Sequence, residues 1–333
     1  MSLTIVPVLT CFNDRYVIPA AVAFRSLIEH ADPAHHYVIY VLHSDIGVER
    51  QQRLRETLFG FANVELTFID MEGRMQDLFD DTRTKSHYSK EMFYKLMAPS
   101  IFPQHDKILV TDVDVIFSGD ISRDYLAFDV AGGPYLAGSP SLVRRGSWVD
   151  QFSRNYEAAF TSEEISRLKI NACYYIANLA KMREDKIEAR FLEFARANTH
   201  RVVQPEQDTL NLVCHPKISV LPADSVVCSY CYDFYRTEAD LAEDITYGAD
   251  EVRHALAHPV QLHFGGVTKP WNSLGSTGAG EWFEVLARTP FLRDHLLALA
   301  ARLDAKEQSR ELLSFKLPFA QRRITVSKSR TLR

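Results

Sequence analysis

Asp112 and Asp114 are two carboxylates one residue apart, just after the apolar run Ile108-Leu109-Val110. That run is short and β-branched and reads as a buried strand. In an extended chain residues i and i+2 point the same way. The two carboxylates therefore face one spot, about 6 to 7 Å apart along the backbone. Left unpaired they would repel, and a shared cation resolves the repulsion. Two acids at this spacing arise by chance roughly once in a chain of this size, and a solvated loop after a strand produces the same pattern. What raises the reading lies downstream, where Leu256–Leu262 leads into His263, Gly265, Gly266, Lys269, Pro270 and Trp271. Histidine is suited to be a third ligand. The glycines let backbone N–H groups approach phosphate oxygens, and Lys269 supplies a point charge for a leaving diphosphate. The pattern describes the metal-diphosphate site of an enzyme.

Other candidates follow the first strand and open later elements. Asn13 is suited to hydrogen-bond a base and Tyr16 to stack on one; a helix N-cap and a packed ring suit the same two residues. Asn171 precedes the strand-like run Ala172–Ile176. Glu206, Gln207, Asp208 and Asn211 crowd the start of a helix, where capping alone accounts for the acids.

The elements that must position these groups alternate from the start. Strands are expected over Leu3–Leu9, Tyr37–Leu42, Val64–Ile69 and Ile108–Val110, with helices from Val17, over Glu49–Phe59 and over Ser86–Ala98, the last stopped at Pro99. This predicts an α/β fold with a mostly parallel central sheet flanked by helices, ligands binding at the carboxyl ends of its strands. No Gly-rich dinucleotide fingerprint follows the first strand. After Asp120 the alternation decays into shorter strands over Ile121–Phe128, Gly132–Ser139 and Lys169–Ala177. Helices are expected from Arg183 to Ala197, from Pro205, over Glu281–Ala287 and from Pro290. Residues 1–280 read as the main α/β domain, the one that would hold the site, and 281–333 as C-terminal helices with a basic tail.

With 333 residues, 46% of them hydrophobic, the chain can bury a sizeable core. A net charge of −5 does not describe a general nucleic-acid binder. Six of the basic residues fall in 316–333 with no acid among them. That tail is suited to an anionic membrane surface or to a solvated terminus. No apolar run reaches the length of a membrane span, the start lacks a basic signal-peptide lead, and five cysteines form no disulfide framework. A cytoplasmic protein is expected, with peripheral attachment to the inner face of the plasma membrane.

These residues resemble glycosyltransferase family 8, which includes bacterial lipopolysaccharide galactosyl- and glucosyltransferases and glycogenin, through about residues 4 to 272. The resemblance rests on Asn13-Asp14-x-Tyr16, Asp112-x-Asp114, Asn171-Ala172, Gln207-Asp208-x-x-Asn211 and His263-x-x-Gly266-x-x-Lys269-Pro270-Trp271. It implies a Rossmann-like GT-A fold and a retaining, Mn²⁺-dependent (or Mg²⁺-dependent) transfer from a UDP-sugar, glucose or galactose, to a saccharide or lipid-linked acceptor. By resemblance Asp112, Asp114 and His263 hold the metal, Asn13 and Tyr16 cradle uridine, and Gly266 and Lys269 take the diphosphate. Val113 and Lys95 complete the donor set, Gln207 lies beneath the anomeric carbon with Glu206 beside it, and Asn171 binds sugar hydroxyls. The chain departs from the family where Lys95 replaces a common arginine, which cannot be copied by lysine as a bidentate fork. Glu206 stands where aspartate is common, and no acid falls near Gly138–Ser141. Two rival readings remain: a haloacid-dehalogenase-like phosphatase, whose acidic motif Asp120 and Asp124 mimic, and a nucleotide-sugar- or glycan-binding protein without turnover.

Overall fold

The computed structural model describes residues 4–81, 89–140, 142, 154–266 and 268–311. The basic tail lies outside them. Two compact units divide the chain, Met1–Thr289 and Pro290–Arg333. Helix Ala279–Leu286, assigned by sequence to the C-terminal extension, falls in the first. The second carries helix Leu292–Glu311.

Among the described residues ten strands build two sheets in the first unit: β1 (Thr4–Cys11), β2 (His35–His43), β3 (Val64–Asp70), β4 (Lys107–Thr111), β5 (Val115–Phe117), β6 (Leu136–Gly138), β7 (Tyr174–Asn178), β8 (Ile218–Val220), β9 (Val227–Cys228) and β10 (Gln261–His263). The larger sheet runs β3-β2-β1-β4-β7-β6-β8 and the smaller β5-β10-β9. β1, β2, β3 and β4 are mutually parallel where they adjoin, and β7 runs antiparallel to both β4 and β6. Consecutive buried residues such as Val6 to Thr10 in β1 and Ile108 to Thr111 in β4 mark strands covered on both faces.

Two features of this topology position the site. Strand order reverses between β1 and β4, so the carboxyl ends of two parallel neighbours adjoin at a switch point, where ligands bind in open α/β sheets. The chain also changes sheets there, because Asp112-Val113-Asp114 is the whole connection between β4 and β5. Asp112 N donates to Cys173 O at 3.0 Å and Phe264 N to Asp114 O at 2.9 Å. Both aspartates are thus fixed by backbone bonds to other segments.

Two expected elements differ. Ile121–Phe128 is not a strand: Ser122–Ala127 is helical, because Asp120 accepts from Ser122 N (3.0 Å) and turns the chain into a helix. Pro99 does not stop the segment before β4. Lys90–Met97 is a 3-10 helix that passes into the short α-helix Ala98–Ile101, with Pro99 in the first turn, where its missing N–H costs nothing. Residues 82–88 of that expected helix lie outside the described residues.

Candidate active site

Asp112, Asp114 and His263 converge although 149 residues of sequence separate the last two, with one ligand atom from each within 4.8 Å of the others. β10 brings the histidine in: it pairs antiparallel with β5, and His263 stands opposite Val115, next to Asp114. His263 Nε2 lies 3.4 Å from Asp114 Oδ1, and Lys269 Nζ donates to Asp114 Oδ2 at 2.6 Å and also to Phe264 O. Burial opposes charge on Asp114, but His263 and Lys269 outweigh it and hold the carboxyl far below the usual range. The separations match those between donors around one hexacoordinate ion, about 3 to 5 Å, and two carboxylates with an imidazole suit a hard or borderline divalent cation. The residues fit a divalent metal.

Lys95 joins this cluster to the second half of the site. Its ammonium donates to Asp112 Oδ1 (2.6 Å) and Ala172 O (3.2 Å) and stands 3.7 Å from Glu206 Oε1. Only 2% of its side chain is exposed. Burial lowers its proton affinity, yet Asp112 and Glu206 raise it well above the ordinary value. The lysine in place of the family's arginine is therefore engaged with protein groups. Burial raises the Glu206 carboxyl, against the pull of Lys95.

Gln207 reaches the segment that carries Asn171. Gln207 Oε1 accepts from Ala172 N at 3.0 Å, and Asn171 Oδ1 accepts from Cys173 N at 2.9 Å. The rest of their motif is scaffold. Asn211 Oδ1 accepts from Lys169 N (2.8 Å) and Ile170 N (3.0 Å), while Asp208 accepts from Val203 N, Gln204 N and the Tyr156 hydroxyl at 2.8 to 2.9 Å. Burial pushes the Asp208 carboxyl up to about 6.

Asn13 and Tyr16 follow β1 at the same switch point. Asn13 caps the 3-10 turn Asp14–Tyr16, its Oδ1 accepting from Arg15 N at 3.2 Å. The half-buried Tyr16 ring meets Trp271 edge-on with centroids 6.0 Å apart. Val113 is 4% exposed. Gly266 has a left-handed φ of +79° with open space where a side chain would stand, a backbone suited to close approach by a ligand. Asp120 and Asp124, the phosphatase mimic, are engaged elsewhere: Asp120 accepts from Tyr37 OH (2.7 Å), and Asp124 pairs with Arg123 and accepts from Tyr174 OH (3.3 Å). Sequence reasoning missed Cys228, whose Sγ lies 3.6 Å from His263 Nδ1. Strand β9 has two residues, too few for any periodic signal.

A sheet reversing at β1/β4, with an acid-acid-imidazole cluster and a lysine at the reversal, agrees with the GT-A glycosyltransferase fold that the family resemblance implies. The chain belongs to glycosyl transferase family 8, whose family model matches residues 7–275. The members are retaining hexosyltransferases. General stress protein A of Bacillus subtilis is 22% identical over 273 residues, 81% of this chain and 88% of that protein. The galactosyltransferase LgtC, solved with donor and acceptor sugar analogues, superposes with a TM-score of 0.66 at 17% identity, covering 85% of this chain and 96% of that one. The bifunctional glycosyltransferase WbbM gives 0.64 at 20% identity over 89% of this chain, which spans about half, 52%, of WbbM.

Proposed function

We propose that the protein transfers a hexose, glucose or galactose, from a UDP-sugar to a glycan or glycolipid acceptor with retention of configuration, using Mn²⁺, with Mg²⁺ as the alternative. The observation that carries this reading is the convergence of Asp112, Asp114 and His263 within 4.8 Å, with Lys269 on Asp114. A divalent ion bound by those three side chains supplies positive charge against the diphosphate. Lys269 moves from Asp114 to the departing phosphate as a charge-assisted donor. Gly266 lets the backbone approach the same oxygens, and Tyr16 and Asn13 hold uridine.

The bond from the anomeric carbon to the diphosphate oxygen breaks, and the acceptor hydroxyl oxygen bonds to that carbon from the same face. The acceptor's proton passes to the departing phosphate oxygen. Two observations support this front-face route over a covalent intermediate. Gln207 carries an amide, a poor nucleophile, whose oxygen already accepts from Ala172 N. Glu206 is 12% exposed and turned toward Lys95. Asn171 binds sugar hydroxyls, and Gln207 lies beneath the anomeric carbon. Incubation with a panel of UDP-sugars, with and without Mn²⁺, tests the proposal: metal-dependent UDP release with one hexose supports it, and release indifferent to metal contradicts it. A trapped glycosyl adduct on Glu206 or Gln207 overturns the front-face route alone.

The basic residues of 316–333 attach the enzyme to an anionic cytoplasmic leaflet, which suits a lipid-linked acceptor. Among the described residues no helix is long and apolar enough to cross a membrane.

A further inference from the structure

An imidazole offers a metal only one nitrogen, so a ligand histidine works when its other nitrogen is held by a neighbour that fixes both ring orientation and tautomer. In metal sites that neighbour is almost always a carboxylate, a backbone carbonyl or water. At His263 the contacts are sulfur: Nδ1 stands 3.6 Å from Cys228 Sγ and the Cys173 thiol also hydrogen-bonds the ring, while Nε2 stands 3.4 Å from Asp114 Oδ1. The two nitrogens thus point to opposite partners, and a ring flip would set carbon against the sulfur.

The backbone makes this contact repeatable. β9 and β10 are parallel with Cys228 opposite His263, and Ser229 N donates to His263 O at 2.8 Å. Cys228 is 3% exposed, so its sulfur is shielded from bulk solvent.

We propose that Cys228 is a positioning residue of His263, its sulfur accepting the Nδ1 hydrogen so that the Nε2 lone pair faces the Asp112 and Asp114 carboxylates. The inference rests on the metal reading above. Sulfur is a weak acceptor. It orients the ring without the strong basicity a carboxylate would lend, and the effect of its loss falls at the lower end of the range for such partners.

Mn²⁺ titrated into the full chain without donor, followed by the loss of the free-ion electron paramagnetic signal, tests this apart from turnover. Cys228→Ala should weaken Mn²⁺ binding about ten-fold, and Cys228→Ser, which keeps an acceptor, should restore most of it. In a His263→Ala background Cys228→Ala should change Mn²⁺ affinity no further, because the residue acts only through the ring. Unchanged affinity in Cys228→Ala, equal losses in the alanine and serine variants, or an additive loss in the double variant would each overturn the proposal. A parent chain that binds no Mn²⁺ sinks the metal reading itself, an outcome distinct from the other three.

Discussion

Replacing Lys95 by methionine removes the ammonium that stands between Asp112 and Glu206 while keeping the buried stem. Two carboxylates are then left facing each other. Breaking a buried pair by deleting one partner costs about 3 to 5 kcal/mol. The Asp112 side chain is 28% exposed and keeps some solvation, which points to the lower figure, about 3 kcal/mol. For a unit of this size that is a fall in Tm of about 6 °C. The deficit depends on pH with a definite sign. Burial already raises the Glu206 carboxyl, and loss of Lys95 raises it further. A carboxyl whose folded pKa lies above its unfolded value makes the native state bind more protons, so stability falls as pH rises. The Lys95→Met deficit should therefore be largest at neutral pH and shrink as pH drops toward about 5. Adding Glu206→Gln should recover about half of it by removing one of the two charges. Urea unfolding followed by circular dichroism at several pH values measures all of this. A variant within about 1 kcal/mol of the parent, or one whose deficit ignores pH, would refute the account of Lys95 as the tie between the two halves of the site.

Lys269→Met should lower kcat/KM for UDP-sugar about 100- to 1,000-fold, through lost stabilisation of the leaving diphosphate, with the acceptor KM little changed; steady-state UDP release checks both. Asp208, pushed up to about 6, makes the parent lose stability between about pH 4 and 6 and stay level above. Asp208→Asn should flatten that interval in urea titrations, and an unchanged slope would remove Asp208 as its cause. Truncation after Glu311 should abolish sedimentation with phosphatidylserine vesicles at low salt, each lost base being worth about 1 kcal/mol. Undiminished sedimentation would rule out the tail as the anchor.

The long strands of the first half were legible because burial on both faces writes continuous apolar runs: Tyr37–Leu42 was expected and His35–His43 is found. The cluster of acids and histidine was legible because chemistry constrains residue type, whatever the fold. Less visible was everything decided by single hydrogen bonds. Asp120 turns Ile121–Phe128 from an apparent strand into a helix, and the apolar pattern of six to eight residues fits both. The smaller sheet is built from strands of two or three residues, so the contact between Cys228 and His263 has no local signature. Lys95 read as a donor contact only through the family resemblance; its bonds to Asp112 and Ala172 appear only in three dimensions. The Gln207-Asp208-x-x-Asn211 motif divides similarly, with Asn211 spent on holding the loop that presents Asn171 and Asp208 on holding Val203 and Gln204 at the start of its own helix.

The central claim is that one divalent ion sits among Asp112, Asp114 and His263 and meets the diphosphate of the donor. An anomalous difference map at the manganese edge, from crystals grown with Mn²⁺ and UDP, tests it most directly. The account predicts a single strong peak within about 2.0 to 2.4 Å of a carboxylate oxygen from each aspartate and of His263 Nε2, with diphosphate oxygens on its open side. A peak elsewhere, or UDP bound with those three side chains turned apart and no peak between them, would contradict it.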